Sequence, residues 1–211
     1  MTVLRVHDFK GFPNPARVRI ALAEKGLFEE TEFVHVDVPG GEHKTSEFLR
    51  RNPSGAVPVL ELADGTMISE CSAITEYLDH LQGEPTLTGQ TPKERAVIAM
   101  TQRRVKAGLL DAVAAYFHHA TEGLGPEIET YQNVEWGQKQ LDRALSTMRW
   151  MNDELASHDY LAGDRFTIAD ITAMAGFSFA DFVKIEIPKE LAHIQQWRNR
   201  VANRPSAALA A

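Results

Sequence analysis

The hydrophobic period of this chain changes repeatedly up to about residue 82 and is helical beyond the stretch that follows, which divides the chain into two unlike parts. In the first part, short extended runs and helical runs alternate, which is the pattern of an α/β unit. Val3, Leu4 and Val6 read as a first strand. Asn14 reads as an N-cap, Pro15 as the first helical residue and Gly26 as the residue just past the helix end. Val18, Ala21 and Leu22 share the apolar face of that helix, with Arg17, Arg19 and Glu24 placed elsewhere on it. Phe33, Val34, Val36 and Val38 suggest a second strand, and Ser46 to Arg51 a short helix. Val57 to Leu62 and Thr66 to Ile68 flank Ala63-Asp64-Gly65, a hairpin with Asp-Gly as its turn. Ile74, Tyr77, Leu78 and Leu81 then recur at helical spacing, completing the order βαβ, α, ββα of a small mixed sheet.

Gly83-Glu84-Pro85 through Thr91-Pro92 is rich in Pro, Gly and Thr and reads as a linker. Beyond it the chain is all helical, with Lys93 to Glu122 as one long segment and Pro126 to His158 as a second. In the second, Val134, Leu141, Leu145, Met148 and Leu155 form an apolar stripe. Phe166-Thr167-Ile168-Ala169-Asp170-Ile171 marks a further helix start: Thr167 caps, Asp170 at N3 completes a capping box, and Phe166 can staple against Ile171. Ser206 to Ala211 is a tail of mostly small residues.

Composition narrows the partners. Twenty-two basic against 29 acidic residues give a net charge of -7, which disfavours binding to a phosphate backbone, so nucleic acid is not expected as a partner. One cysteine, Cys71, rules out an intramolecular disulfide and a cysteine-rich metal site and suits a reducing, cytoplasmic compartment. No leader pattern opens the sequence, and no run reaches the ~18 apolar residues of a membrane span, so neither secretion nor membrane insertion is expected.

Five segments together carry a resemblance: Pro15 to Gly26, Gly41-Glu42-His43-Lys44, Asn52-Pro53-Ser54-Gly55-Ala56-Val57-Pro58-Val59-Leu60, Glu70-Cys71-Ser72-Ala73-Ile74, and the capping box from Phe166 to Ile171. In this order and spacing the chain resembles the glutathione S-transferase family, bacterial and plant type, over essentially its whole length. The resemblance implies a thioredoxin-like α/β domain over 1–82, a linker over 83–92 and an all-α domain over 93–211. It also implies a homodimer, glutathione as co-substrate, a small apolar electrophile as second substrate, a role in detoxification, and no metal.

Residue by residue, the resemblance implies a cis Val57-Pro58 bond, with the Val57 main chain pairing with the cysteinyl unit of glutathione as a one-residue strand addition. Glu70-Cys71-Ser72 opens a helix whose unpaired N–H groups suit the γ-glutamyl carboxylate, while Glu70 suits its ammonium. Cys71 stands where the family usually has Ser, so a thiol, a weaker donor, replaces a hydroxyl. His43 and Lys44 match a run that contacts the glycyl carboxylate in the plant-type branch; a solvated loop is the alternative for these two residues.

The chemistry concerns the glutathione sulfur. A free thiol titrates near ~8.5, and each unit of depression requires ~1.36 kcal/mol. A hydrogen bond to a charged group contributes ~1.5–3 kcal/mol against ~0.3–1 for a helix dipole, so a direct donor matters most. Most members of the family carry Ser, Tyr or Cys in the loop after the first strand, but Phe9-Lys10-Gly11-Phe12-Pro13-Asn14 has none, and Phe12 stands at the hydroxyl position. Asn14 is the remaining candidate donor, with an ordinary helix cap as its alternative role. Phe12, Met100, Arg104, Ala107 and Phe117 are candidates to line the electrophile pocket, or equally to pack the domains. His118-His119 reads as a surface feature, since adjacent helical residues do not face one another. Three functions stay open: thiolate attack on an electrophile, glutathione-dependent disulfide reduction, and a non-catalytic binding or scaffold role, which Phe12 would suit.

Overall fold

The computed structural model describes residues 4–209 and divides into two compact units, one running to Gln90 and taking in the segment from Arg204, the other Thr91–Asn203. Val3, expected in the first strand, lies outside the described residues.

In the first unit, β1 (Leu4–Asp8), α1 (Pro13–Glu24), β2 (Thr31–His35), α2 (Ser46–Arg51), β3 (Val59–Glu61), β4 (Met67–Ser69) and α3 (Cys71–Leu81) follow in order. The four-stranded sheet has the order β2-β1-β3-β4. β1 pairs parallel with β2, and β1–β3 and β3–β4 are antiparallel. The β3–β4 hairpin turns at Gly65, whose φ of 85° suits a residue without a Cβ. Val6, Ile20, Leu22, Val59, Leu60, Ile74 and Leu78 form the buried interior.

Two features of α1 depart from the sequence pattern. The helix begins two residues earlier than expected, with Phe12 as N-cap and Pro13 in the first turn, so Asn14 is inside the helix and is not its cap. Proline fits there because its missing N–H would have no intrahelical partner. Arg17 and Arg19, expected away from the apolar face, are 2% and 9% exposed. Arg19 is accommodated by a two-point ion pair to Asp8 of β1, and its guanidinium lies 4.0 Å from the centre of the Phe33 ring.

Asp79 of α3 fastens the following segment. Its carboxylate accepts hydrogen bonds from the main-chain N–H groups of Thr86, Leu87 and Thr88 and from the Thr88 hydroxyl, and it pairs with Lys25 at 3.1 Å. The stretch expected as a linker is therefore strapped to the first unit as far as Thr88. A short 3-10 turn, Pro205–Leu209, packs on α1. Arg204 donates to both Glu24 oxygens at 2.9 and 2.6 Å, and Ser206 Oγ also bonds Glu24. Residues 204–209 thus belong with the first unit, where the sequence pattern assigned them to the helical one.

The second unit consists of α4 (Pro92–Val105), a π-helical segment (Lys106–Leu110), α5 (Asp111–Ala120), α6 (Val134–Glu154), α7 (Ile168–Phe182) and α8 (Ala192–Ala202). From Pro92 to Ala120 the backbone stays helical, widening to π geometry in the middle. Gly108 sits in that segment, where a Cβ would collide with Thr147 Oγ1 of α6. Helix α6 starts at Val134, capped by the Asn133 side chain on Trp136 N, and not at Pro126 as the pattern suggested. Of the expected stripe, Met148 and Leu155 are buried, Leu141 and Leu145 half-buried, and Val134 exposed. The capping box at α7 forms as expected, with the Asp170 carboxylate fully buried and also accepting from Leu161 N and the Trp197 indole.

Among the described residues, no helix is long and apolar enough to cross a membrane.

Candidate functional site

The strand register sets the geometry. Val59 stands opposite both His7 of β1 and Ser69 of β4, so three chain segments pass the same end of the sheet: the loop after β1, the entry to β3 and the exit from β4. Those segments carry Phe9 to Asn14, Val57-Pro58 and Glu70-Cys71.

The Val57-Pro58 peptide bond is cis. Neither main-chain polar group of Val57 makes a hydrogen bond among the described residues, although pairing resumes at Val59. A half-buried residue with an unpaired N–H and C=O just before a strand can take one residue of an extended peptide.

Glu70 is the N-cap of α3 and holds φ 69°, ψ 117°, a backbone region costly for a residue with a Cβ. Its carbonyl accepts the first helical hydrogen bond, from Ile74 N at 2.9 Å, while its carboxylate is exposed and has no partner among the described residues. A free carboxylate is thereby held beside the N–H groups of a helix start, an arrangement able to receive an ammonium and a carboxylate together.

The Cys71 thiol turns away from solvent. It is buried and donates to the Asn14 carbonyl oxygen at 3.4 Å, with Asn14 Oδ1 at 3.8 Å. The first turns of α1 and α3 therefore meet at Asn14 and Cys71, bringing two helix N-termini together. Asn14 itself is exposed, and its Oδ1 accepts from Arg17 Nη1 at 3.0 Å. The sequence pattern placed Arg17 off the apolar face and gave it no part in the site; its i, i+3 spacing from Asn14 is the signal that links them.

Phe12 is half-buried and packs at a tilt against Phe9 with ring centroids 4.6 Å apart, and Phe9 in turn lies 5.4 Å from the His35 ring. An aromatic ring, and no hydroxyl, occupies this point of the loop.

His43 and Lys44 lie in a 3-10 turn, Glu42–Lys44, and Lys44 Nζ donates to the Gly55 carbonyl at 3.0 Å. That bond draws the turn against the segment leading into Val57. Gly55, at φ 58°, allows the approach, since a Cβ there would lie 3.0 Å from the His43 carbonyl oxygen. Burial, with Lys44 beside it, pushes the His43 pKa below the ordinary histidine value, and His43 Nδ1 is buried without a hydrogen-bond partner among the described residues. The turn therefore offers one cation, Lys44, next to an imidazole biased toward its neutral form.

The remaining candidates belong to the second unit. Met100 is exposed on α4, and Arg104, one turn further on, lies with its guanidinium 5.8 Å from the Trp150 ring. Phe117 of α5 packs edge-on against Phe179 and Phe182 of α7. Ala107 is half-buried within the π-helical segment. His118 and His119, expected as surface residues, are half-buried and engaged: His118 Nδ1 lies 2.7 Å from Glu129, and His119 Nδ1 accepts from Asn133 N at 3.2 Å. They fasten the loop over 121–133, which the pattern read in part as helix.

Comparison with known proteins places the chain in a family. The sequence matches the family model of the glutathione S-transferase N-terminal domain over residues 13–81 and that of the C-terminal domain over 105–205. It is 53% identical over 201 residues to glutathione S-transferase 2 of Saccharomyces cerevisiae, covering 95% of this chain and 86% of that protein. The crystal structure of Gtt2 from Saccharomyces cerevisiae superposes with a TM-score of 0.95 at 52% identity, covering 98% of this chain and 100% of that one. A glutathione S-transferase domain-containing protein from Marinobacter aquaeolei gives a TM-score of 0.93 at 59% identity, covering 96% and 98% of the two chains. Fold, sequence and domain order coincide over nearly the whole length, and the chain belongs to the glutathione S-transferase family of enzymes.

Proposed function

We propose that the protein transfers glutathione to a small apolar electrophile by attack of the glutathione thiolate, with the tripeptide held along the end of the first unit's sheet. The observation that carries this reading is the convergence, at that end, of the unpaired Val57 main chain, the exposed Glu70 carboxylate and Asn14. In this reading Val57 pairs with the cysteinyl unit. Glu70 takes the γ-glutamyl ammonium, and the N–H groups opening α3 at Cys71 take its carboxylate. Lys44, with His43, faces the glycyl carboxylate. Pro58 fixes the turn into β3. The sulfur then lies by Asn14, whose amide donates to the thiolate in place of the absent hydroxyl. Phe12, on the loop after β1, offers an aromatic face to an apolar electrophile at the same end of the sheet. The family resemblance supports a homodimer and a role in detoxification, and the lone, buried cysteine suits a reducing cytoplasm.

The test compares conjugation of a halonitrobenzene with reduction of hydroxyethyl disulfide, both with glutathione, in the wild-type protein, Asn14→Ala and Phe12→Ser. Conjugation should dominate, fall on the order of tenfold or more in Asn14→Ala, and rise in Phe12→Ser. Reduction faster than conjugation would replace the reading with a disulfide reductase. Glutathione binding without either activity would replace it with a carrier.

A further inference from the structure

We propose that Arg17 is a positioning residue for the reaction, holding the Asn14 carboxamide with its oxygen inward so that its NH2 edge is the one offered to the glutathione sulfur. The inference rests on the reading that Asn14 assists the sulfur and adds the device that orients it.

A carboxamide has two edges of similar shape and opposite polarity, and only the NH2 edge can stabilise a thiolate. Presented the other way round, its oxygen would repel the sulfur charge. The edge facing outward is set by the group behind it, and here that group is a guanidinium. Arginine has donors and no acceptor, so the Asn14 atom that meets Arg17 Nη1 at 3.0 Å is fixed by chemistry as Oδ1. A second donor approaches the same residue from the opposite helix: Cys71 Sγ lies 3.4 Å from the Asn14 carbonyl oxygen and 3.8 Å from Oδ1. Turning the amide over would set NH2 against the guanidinium and lose the Arg17 contact, while the thiol would keep its bond to the main-chain carbonyl.

Burial makes the clamp directional. Arg17 is 2% exposed while Asn14 is exposed, so the amide spans from a buried cation to open surface. Its Oδ1 faces the cation and its Nδ2, which makes no hydrogen bond among the described residues, is left for a ligand. The positive charge behind the amide also polarises it in the sense that strengthens donation from Nδ2. Helix geometry secures the pairing, because residues three apart are neighbours on one face of α1.

The experiment titrates the ultraviolet thiolate absorbance of glutathione bound to the full-length protein and to four variants, with kcat/KM across pH and glutathione Kd measured alongside. Asn14→Ala reports on the role of Asn14 itself. Arg17→Met keeps volume but frees the amide, and it should raise the apparent pKa of the bound thiol by about one unit. That lowers kcat/KM about tenfold below that pKa, with Kd changed by no more than about threefold. Arg17→Lys, which still donates, should recover part of the loss. Asn14→Asp keeps an oxygen for Arg17 and Cys71 but offers the sulfur a second oxygen, so the bound thiol should titrate at least as high as in Asn14→Ala.

If Asn14→Ala leaves the thiol pKa unchanged, the role of Asn14 falls and the proposal falls with it. If Asn14→Ala raises the pKa while Arg17→Met retains the wild-type value, only the positioning role is overturned. Should Arg17→Met fail to fold, Asn14→Asp decides, since a wild-type thiol pKa in that variant would overturn the assigned orientation.

Discussion

Arg19 grips Asp8 at two points, Nε to Oδ2 at 2.7 Å and Nη2 to Oδ1 at 3.1 Å, in the buried layer between α1 and β1. The pair closes the end of β1 from which the loop carrying Phe12 and Asn14 departs. Asp8→Ala would leave a guanidinium buried without its counter-charge, and the expected cost is about 3–5 kcal/mol in urea unfolding. A double replacement, Asp8→Leu with Arg19→Met, should cost clearly less than the sum of the two single changes.

The Asp170 carboxylate serves Leu161 N at 3.1 Å, Thr167 N at 2.9 Å and the Trp197 indole at 2.9 Å. Asp170→Ala leaves buried donors unpaired, each costing ~1–3 kcal/mol, so a total loss on the order of 3–5 kcal/mol is expected. Asp170→Asn should lose less, because one oxygen is retained. Chemical denaturation with the Trp197 fluorescence as probe measures both.

Stability toward acid should depend on Asp79. Burial pushes its pKa up, but the N–H groups of Thr86 and Thr88, the Thr88 hydroxyl and Lys25 outweigh that and hold it below the ordinary carboxylate value. A folded pKa below the unfolded one means that the contribution is complete above the unfolded pKa, near ~3.9, and is lost as pH falls through the lower folded value. Asp79→Asn should therefore lower the unfolding midpoint at neutral pH and flatten its fall below about pH 4. Thermal unfolding against pH reads the difference.

Binding of glutathione should take up protons around neutral pH if its glycyl carboxylate meets His43. The free His43 is held below its usual pKa by burial and by Lys44, and an arriving carboxylate would raise it. Uptake of protons on binding makes affinity increase as pH falls toward the free-state pKa. Calorimetry in buffers of different ionisation enthalpy gives the net proton count, which also contains the protons released by the bound thiol; the uptake due to His43 should be absent in His43→Gln.

What could be read without coordinates is what depends on neighbours in the chain. The short helix Ser46–Arg51, the hairpin turning at Gly65 and the capping box at Thr167 and Asp170 each carry their determinants within a few residues. Arg17 and Arg19 escaped because a face read by apolarity assigns charge to solvent, whereas Asp8 and Asn14 supply the partners that bring both inside. The loop over 121–133 was partly misread for a similar reason: side chains of Glu129 and Gln132, reaching Leu124 N and the carbonyls of His118 and Thr121, provide the order that a helix would have provided. At the site, Glu70 and Val57 were accessible only through the family resemblance. The burial of the Cys71 thiol against Asn14 had no signature in sequence, since it joins residues 57 positions apart.

The contact of Arg204 and Ser206 with Glu24 imposes an order on biosynthesis. A nascent chain emerging from the ribosome presents the sheet and its helices first, yet the carboxylate of Glu24 must wait for the whole helical unit to be translated before its partners appear. The sheet unit can therefore reach its full set of contacts only after residues 204–206 have been made.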